Sequence, residues 1–557
     1  MRIIKILVIA VLSVATLGAC NKELDELLVN PNSPDPSVAD ADLFLTQMEL
    51  SFAAFFNNAS NFGGQTTRMY NMGATTYRNA YSPESFDGIW TNAYAGVMKH
   101  ANALIPIAEQ QKKYVNVGMA KVLKAYTMMT LVDMFGDIPY TEANLGADNT
   151  NPAVESGKDV YAKAITLLDE AVAALSLTPG SYPASQDLFF GASNSAGRDR
   201  WRKTAKLLKL RALNQTRLVN TGAAAAINAL LADADVAGAT AADDFEFKYS
   251  SKQTNPNSRH PRYNANYTSN GTAGDYMSIY YMWTLAAEKG TGNSSDPRLR
   301  YYFYRQVNNY AGVTADNLPC YYSSLPPPAH YTPGMPFCFI AQGYWGRDHA
   351  DGSGIPPDGN LRATVGIYPA GGDFDANQAK PVSLNTGGQG AGILPIWQSS
   401  FTDFLKAESS LKLGTTGDAR AFLKSGIEKS LAKVIGFPAT VAVVPNPTYV
   451  PDATRQSDYV NKVLTAYDAA ASADDKLNIV IKEWYIASWG NGLDVFNTYR
   501  RTGMPKNIQF TLSPNPGDFT RSMVYPASYV NLNNTAQQKA GPAVQVFWDN
   551  NPAGFIK

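Results

Sequence analysis

The sequence predicts a mainly α chain, tetratricopeptide-like helix pairs packed against a large irregular, loop-rich half with few short strands. Three observations lead there. Apolar residues recur at helical spacing in segments that fall into four pairs, two before an irregular stretch and two after it. Helix-stop and helix-start residues stand between the members of several pairs. The stretch from about 245 to 398 is crowded with Gly, Pro, Asn, Ser and Tyr and keeps no long helical period, and it is too long for an ordinary loop.

The chain begins with Arg2 and Lys5 around the apolar run "IIKILVIAVLSVATL", a stretch of signal-peptide length, too short and too early for a membrane span. It stops at Leu17-Gly18-Ala19-Cys20. Small residues before a cysteine resemble the bacterial lipobox, where cleavage falls just ahead of a cysteine that carries lipid; an ordinary secretory signal is the alternative. Residues 1–19 are thus read as a lipoprotein signal peptide, Cys20 as the lipidation site, and 20–40 as a flexible tether. Acyl chains on Cys20 would hold the protein on a membrane, at ~0.8 kcal/mol per buried CH₂.

Residues 41–557 are read as one domain. A helix over 41–57 carries Leu43, Phe44, Met48, Ser51, Phe52 and Phe55 at helical spacing, and a Gly/Thr/Asn/Tyr loop follows to Pro83. The first pair covers about 84–135. Its first helix, 84–111, has Pro83 in the opening turn and Pro106 as a kink or end. Its second, 117–135, is apolar almost all round from Ala125 to Phe135 and so is expected inside, with Gly136 as its C-terminal cap.

The second pair, 157–175 and 200–219, starts at "ESGKD". That string lacks the leading glycine and the Ser/Thr of a phosphate loop and reads as a helix start capped by Ser156, with Asp159 three residues on. Arg202, Lys206 and Lys209 lie off the apolar stripe of the second helix and read as a solvated face. Beyond the insert come pairs at 399–435 and 455–490. Thr415 with Asp418, and Ser472 with Asp475, have capping-box spacing. Residues 504–557 are turn-rich with short strand-like pieces.

Composition narrows the function. At 45% hydrophobic and 17% charged residues the chain is globular rather than disordered. Lys+Arg and Asp+Glu are both 47, which gives no electrostatic case for nucleic acid. No CxxC, HExxH, GxSxG or complete phosphate loop occurs, and His100, His260, His330 and His349 are scattered, so neither a cofactor nor a catalytic metal is expected. Cys320 and Cys338 share one irregular stretch; a bridge there would contribute ~3 kcal/mol in the chain-entropy picture. Asp348, Asp351 and Asp358 cluster in one loop, either as a structural calcium site or as a solvated turn. Loop aromatics offer flat faces for sugar rings, with polar neighbours for hydroxyls. The candidates are Tyr77, Arg78, Tyr81, Trp90, Trp283, Tyr344 and Trp345; packing is the competing reading for each, and for Trp90 above all.

Several stretches, in order, resemble one family: "LGAC", "IWTNAYAGVMKHANALI", "KAYTMMTLVDMFGDIPYTEA", "IKEWYIASWGNGLDVFNTYRRTGMP" and "RSMVYPASYVNLN". They are similar to the SusD/RagB nutrient-binding outer-membrane lipoproteins of Bacteroidetes, and the insert "YWGRDHADGSGIPPDGNLRATVGIYPAGG" looks like the SusD-like branch. The resemblance implies a SusD-like fold and no catalysis. It also implies a lipid-anchored place on the outer membrane facing the exterior, and a SusC-like TonB-dependent barrel that receives captured glycan or peptide. The acidic "NKELDE" after Cys20 resembles the surface-export signal of such lipoproteins, or is a solvated tether. Two other readings compete: a protein-binding scaffold on tetratricopeptide-like repeats, and a glycoside hydrolase with two carboxylates across a cleft.

Overall fold

Helix α1, Ala41–Thr66, starts where the Asp40 carboxylate accepts the Asp42 N–H at 2.9 Å and buries Leu45, Met48, Phe52, Phe55 and Phe56. In this computed structural model residues 40–557 are described, apart from 178–181, 183–186, 192–193, 269–274, 309–328, 337–339, 341 and 353–360. Residues 1–39 with Cys20, and Cys320, Cys338 and Asp358, lie outside the described residues.

α1 runs past residue 57, through Gly63 and Gly64. The reason is tertiary. At Gly63 a Cβ would come within 2.4 Å of the Gly492 carbonyl oxygen, so glycine lets α1 cross α16 (Gly492–Thr502) with backbones in contact. Ser60 Oγ accepts the Gly492 N–H at 2.8 Å at the same crossing. The predicted helix at 84–111 is a composite rod: a 3₁₀ turn Pro83–Phe86, α2 Asp87–Thr91, a π-helical segment Asn92–Met98 and α3 Lys99–Gln110. Pro106 stays inside α3 instead of ending it.

α4, Tyr114–Phe135, is buried nearly all round, as its sequence requires, and packs on α1, α3, α5 (Gly157–Ser176) and α6 (Ser195–Gln215). The start of α5 corrects one expectation. Ser156 makes no side-chain cap; the Gly157 N–H donates instead to Asp137 Oδ1 at 2.7 Å. Two short helices, α7 Ala223–Leu231 and α8 Ala234–Ala237, follow α6. Arg202 and Lys206 are not simply solvated: they pair with Asp235 at 3.0 and 2.7 Å and tie α8 to α6, while Lys209 reaches Asp169 on α5 at 2.6 Å.

The irregular part holds β1 Phe245–Tyr249, α9 Pro261–Tyr267, α10 Ile279–Ala286, α11 Leu299–Tyr302, β2 Phe303–Tyr304, β3 Thr364–Val365 and β4 Gly392–Trp397. β1 pairs antiparallel with β4, Phe247 facing Leu394, and β2 with β3, so each sheet has two strands. Helices resume with α12 Ser399–Leu413, α13 Ala419–Thr440, α14 Ala453–Ala469, α15 Ala473–Ala487 and α16. Ser472 caps α15, its Oγ accepting the Asp475 N–H at 3.1 Å, as the spacing predicts. Thr415 does not cap α13; its hydroxyl donates to Ser409 Oγ at 2.9 Å, and Asp418 is the cap, accepting from the Arg420 N–H at 2.9 Å. The closing stretch contains α17, Ala527–Leu532, and no strand among its described residues. One buried apolar core runs from Ala41 to Ile556 through both parts.

The residues of the late "GLDVFNTYRRTG" stretch hold this frame together. Arg211 on α6 donates to Asp494 Oδ1 at 2.7 Å and to Asp133 Oδ2 at 3.1 Å, and Trp548 Nε1 donates to the other Asp133 oxygen at 2.9 Å. Arg500 donates to the backbone carbonyls of Arg521 and Asp133, and Arg501 grips Glu408 at 2.8 and 2.7 Å. Among the described residues no helix is long and apolar enough to cross a membrane.

Candidate functional site

After α1 the chain turns back on itself, with Arg68 at φ 64° and the Met69 N–H donating to Gly64 O at 2.8 Å. Three loops are then laced together by β-bridges. Tyr70 pairs with Met277, and Ser278 with Arg347. The stretch after α16 joins them: the Leu512 N–H donates to His349 O at 2.8 Å, and the Tyr77 N–H to Pro516 O at 3.0 Å.

Arg68 is the peg of this corner. It is fully buried, and main-chain oxygens and a phenol answer it. Its donors go to the main-chain oxygens of Gln509 at 2.9 Å, Thr66 at 3.0 Å and Lys557 at 2.9 Å, and to the Tyr77 hydroxyl at 3.0 Å.

Tyr77 and His349 complete the peg. Burial raises the Tyr77 phenol, so it stays protonated, and burial together with the Arg68 charge holds His349 well below the ordinary imidazole value, so it stays neutral. The phenol accepts from Arg68 and shares a hydrogen bond with His349 Nε2 at 3.2 Å. The Tyr77 ring packs on Phe519, centroids 5.1 Å apart.

Over this peg opens a cavity of about 790 Å³, with Tyr77, His330, Phe510, Leu512, Phe519 and Ile556 among its lining residues. Phe510 and Leu512 stand 44% and 39% exposed at its rim. Thr511, Ser513, Asp518, Gln545 and Lys557 add hydroxyl, carboxylate, amide and ammonium groups to the wall. Flat or branched apolar surfaces beside hydrogen-bonding groups suit a ligand with one apolar face and a polar edge.

Of the residues singled out by sequence, Tyr77 lines the cavity, and Arg78 is exposed next to it in the same loop. The others lie elsewhere. Tyr81 stands edge-on to Phe62 and donates to Gln65 Oε1 at 3.0 Å. Trp90 is a core ring, 4.9 Å from Tyr529 and edge-on to Phe135, so its packing reading holds. Trp283 is buried on α10 beside Tyr280, Tyr344 is buried with Arg305 over its ring at 5.2 Å, and Trp345 is buried too.

Of the aspartate cluster, Asp358 lies outside the described residues. Asp348 accepts from Gln509 Nε2 at 2.7 Å and from the Tyr331 hydroxyl at 3.0 Å, and Asp351 lies 3.4 Å from Arg347. The residues that sequence reasoning missed come from "FTLSPNPGDF", Phe510 to Phe519. Large apolar residues inside a Pro/Asn/Gly turn cannot be packing a helix or strand, and that was the available signal.

A frame of paired helices thus carries a loop-built cavity. Two family profiles match the chain: one described as starch-binding and associating with the outer membrane, over residues 32–321, and one described as SusD and RagB outer membrane lipoprotein, over 385–550. The chain belongs to the SusD/RagB family of outer-membrane lipoproteins, whose members are binding proteins and not enzymes. Solved structures share its fold. A SusD/RagB family protein from Bacteroides thetaiotaomicron is 21% identical, covering 92% of this chain and 100% of its own at TM-score 0.65. A SusD homologue from Bacteroides fragilis is 18% identical with the same coverage and TM-score 0.65. A chitin-binding SusD homologue from Flavobacterium johnsoniae is 20% identical, covering 91% of this chain and 99% of its own at TM-score 0.58. No curated protein matches the chain.

Proposed function

We propose that the protein is a cell-surface lipoprotein, anchored through Cys20, that captures an oligosaccharide and delivers it to a SusC-like TonB-dependent outer-membrane transporter. The observation that carries this reading is the cavity at the loop corner, where the exposed Phe510 ring stands beside hydroxyl and amide groups, with the buried rings of Tyr77 and Phe519 in its wall. The family description as starch-binding and the relative named as chitin-binding support sugar over peptide. Affinity is expected to be modest, because a sugar exchanges water hydrogen bonds for protein ones with little net gain, and a carrier has to release its cargo.

The test is a pull-down from native outer membranes followed by calorimetry of the purified protein with glycan and peptide panels. A stable complex with a barrel transporter and saccharide binding without turnover support the reading. Absence of any barrel partner, preference for peptides, or cleavage of the ligand overturns it. Cys20→Ala should release the protein from the membrane fraction; continued membrane association would remove the lipid anchor from the proposal.

A further inference from the structure

Buried arginines in this protein are almost all answered. Arg211, Arg298 and Arg501 meet carboxylates, and Arg68 and Arg500 meet main-chain and side-chain oxygens. Arg362 is the exception. It is 4% exposed, its Nε is buried without a hydrogen-bond partner, and among the described residues no carboxylate pairs with it. Its guanidinium carbon lies 4.2 Å from the centroid of the Tyr276 ring, and that of Arg347 lies 4.2 Å from the same centroid. The two cations are therefore no more than twice that distance apart, with Asp351 beside Arg347 at 3.4 Å.

A cation withdrawn from water without a counter-charge is costly, and a second cation nearby adds to the cost. Stacking on a tyrosine occupies only the face of a guanidinium; the N–H groups of Arg362 lie along its edge, the geometry that meets a carboxylate with two parallel bonds. The place is part of the laced corner. The Asn71 N–H donates to Tyr276 O at 3.1 Å, the Ala363 N–H to Trp345 O at 2.9 Å, and Tyr276 itself is half-buried.

From this pairing of an unanswered guanidinium with a tyrosine platform, we propose that the captured oligosaccharide is acidic, and that Arg362 binds the carboxylate of a uronic acid residue while Tyr276 and Arg347 hold the guanidinium environment in place. This rests on the glycan-binding reading above and names the ligand class; Arg362 belongs to the laced loops and is not among the residues that line the cavity. The near-balance of charge over the whole chain, 47 against 47, does not oppose it, since selection is local.

The test is calorimetry with uronic-acid oligosaccharides and the same oligosaccharides after reduction of their carboxyl groups to alcohols. The acidic form should bind about tenfold more tightly, with a preference that shrinks as salt rises. Arg362→Gln should remove the preference and leave affinity for the reduced form unchanged; Arg362→Lys, which keeps the charge and loses the fork, should keep part of it. Thermal melts check that each variant is folded, and if R362Q is not, the R362K result and the salt dependence of the unaltered protein decide. Equal binding of the two forms, or an R362Q protein that keeps the preference, overturns the inference while the glycan reading stands. Tighter binding of an acidic peptide than of any saccharide, or no saccharide binding at all, overturns both.

Discussion

Arg211 and Arg68 are both withdrawn from solvent, and they solve that problem in opposite ways. Arg211, inside the helical frame, is held by the carboxylates of Asp133 and Asp494. Arg68, inside the loop corner, is held by three main-chain oxygens and a phenol. The difference follows from what each region leaves unsatisfied. Helices bond most of their own backbone, so side chains are the main groups left to answer a buried charge, with a helix-end carbonyl such as Asp133 O, which Arg500 reaches, as the exception. Irregular loops leave carbonyls without partners, and one guanidinium with five donors can collect several of them. Arg211 sets charge against charge; Arg68 uses charge in place of secondary structure.

The largest effect expected from this contrast is in the frame. Arg211→Met leaves Asp133 and Asp494 buried without their cation, which should cost about 3–5 kcal/mol in denaturant unfolding. A loss below about 1 kcal/mol would mean that Asn497, Asn491 and Trp548, which also donate to these carboxylates, suffice without it. Arg68→Met should cost less, about 1–3 kcal/mol, because it strands no buried side-chain carboxylate, only main-chain oxygens and a phenol. Its signature is different: ligand binding at the corner should be lost while the protein remains folded. Unaltered affinity in a folded R68M protein would detach the cavity from its peg.

The same contrast explains what was legible in the sequence. The frame was readable because helix periodicity and stops are local: α4, α5, α12 and α15 lie close to the ranges expected from apolar spacing, and Gly414 is the left-handed cap at φ 65°. The failures there were tertiary. Gly63 and Gly64 look like a helix end but permit a helix crossing, and the cap expected from Ser156 is supplied by Asp137 from the preceding turn. The candidate site was mostly illegible. Tyr77 was found, but aromatic content cannot tell a ring that faces a cavity from one that fills a core, as Trp90 and Trp283 do. Nor does local sequence say that residues 510–519 return to cover a loop more than four hundred positions earlier, a closure made by Arg68 and the Pro516 carbonyl.

A smaller and more discriminating effect is pH dependence, because Glu49 in the frame and two histidines in the loop half respond with opposite sign. In the frame, burial and then the Asp187 charge push the Glu49 carboxyl well above its ordinary value of 4.5. The folded chain keeps a proton that the unfolded chain releases, so this contribution is full below about pH 4.5 and is lost as pH rises through the folded value. In the loop half, burial and then Arg68 hold His349 well below 6.5, and burial with Arg262 pushes His260 down to about 3. There the unfolded chain binds protons that the folded chain refuses, so stability is full above about pH 6.5 and falls as pH drops from there. Each group changes stability by up to about 1.4 kcal/mol per pH unit within its window. Glu49→Gln should raise stability at pH 8 and flatten the alkaline side of the profile, and His349→Gln should flatten part of the acid side. Slopes unchanged in both variants would remove these groups from the account.

The smallest expected change in stability belongs to Phe510, and it separates the two kinds of aromatic in this protein. The ring is 44% exposed at the cavity rim, and Lys557 Nζ stands 5.0 Å from its centroid, so truncation uncovers little and opens no core. Phe510→Ala should therefore shift unfolding by no more than about 0.5 kcal/mol. If the ring is a face on which a sugar stacks, its loss should still weaken saccharide binding by about 0.5–1.5 kcal/mol, roughly two- to tenfold. A core ring behaves in the reverse way, costing stability and touching affinity only through the fold. Calorimetry beside thermal unfolding reads both quantities on one preparation. A Phe510→Ala protein that loses stability but keeps its affinity would place this ring with the core aromatics, and would move the binding face away from the cavity built by Tyr77, Phe510 and Phe519.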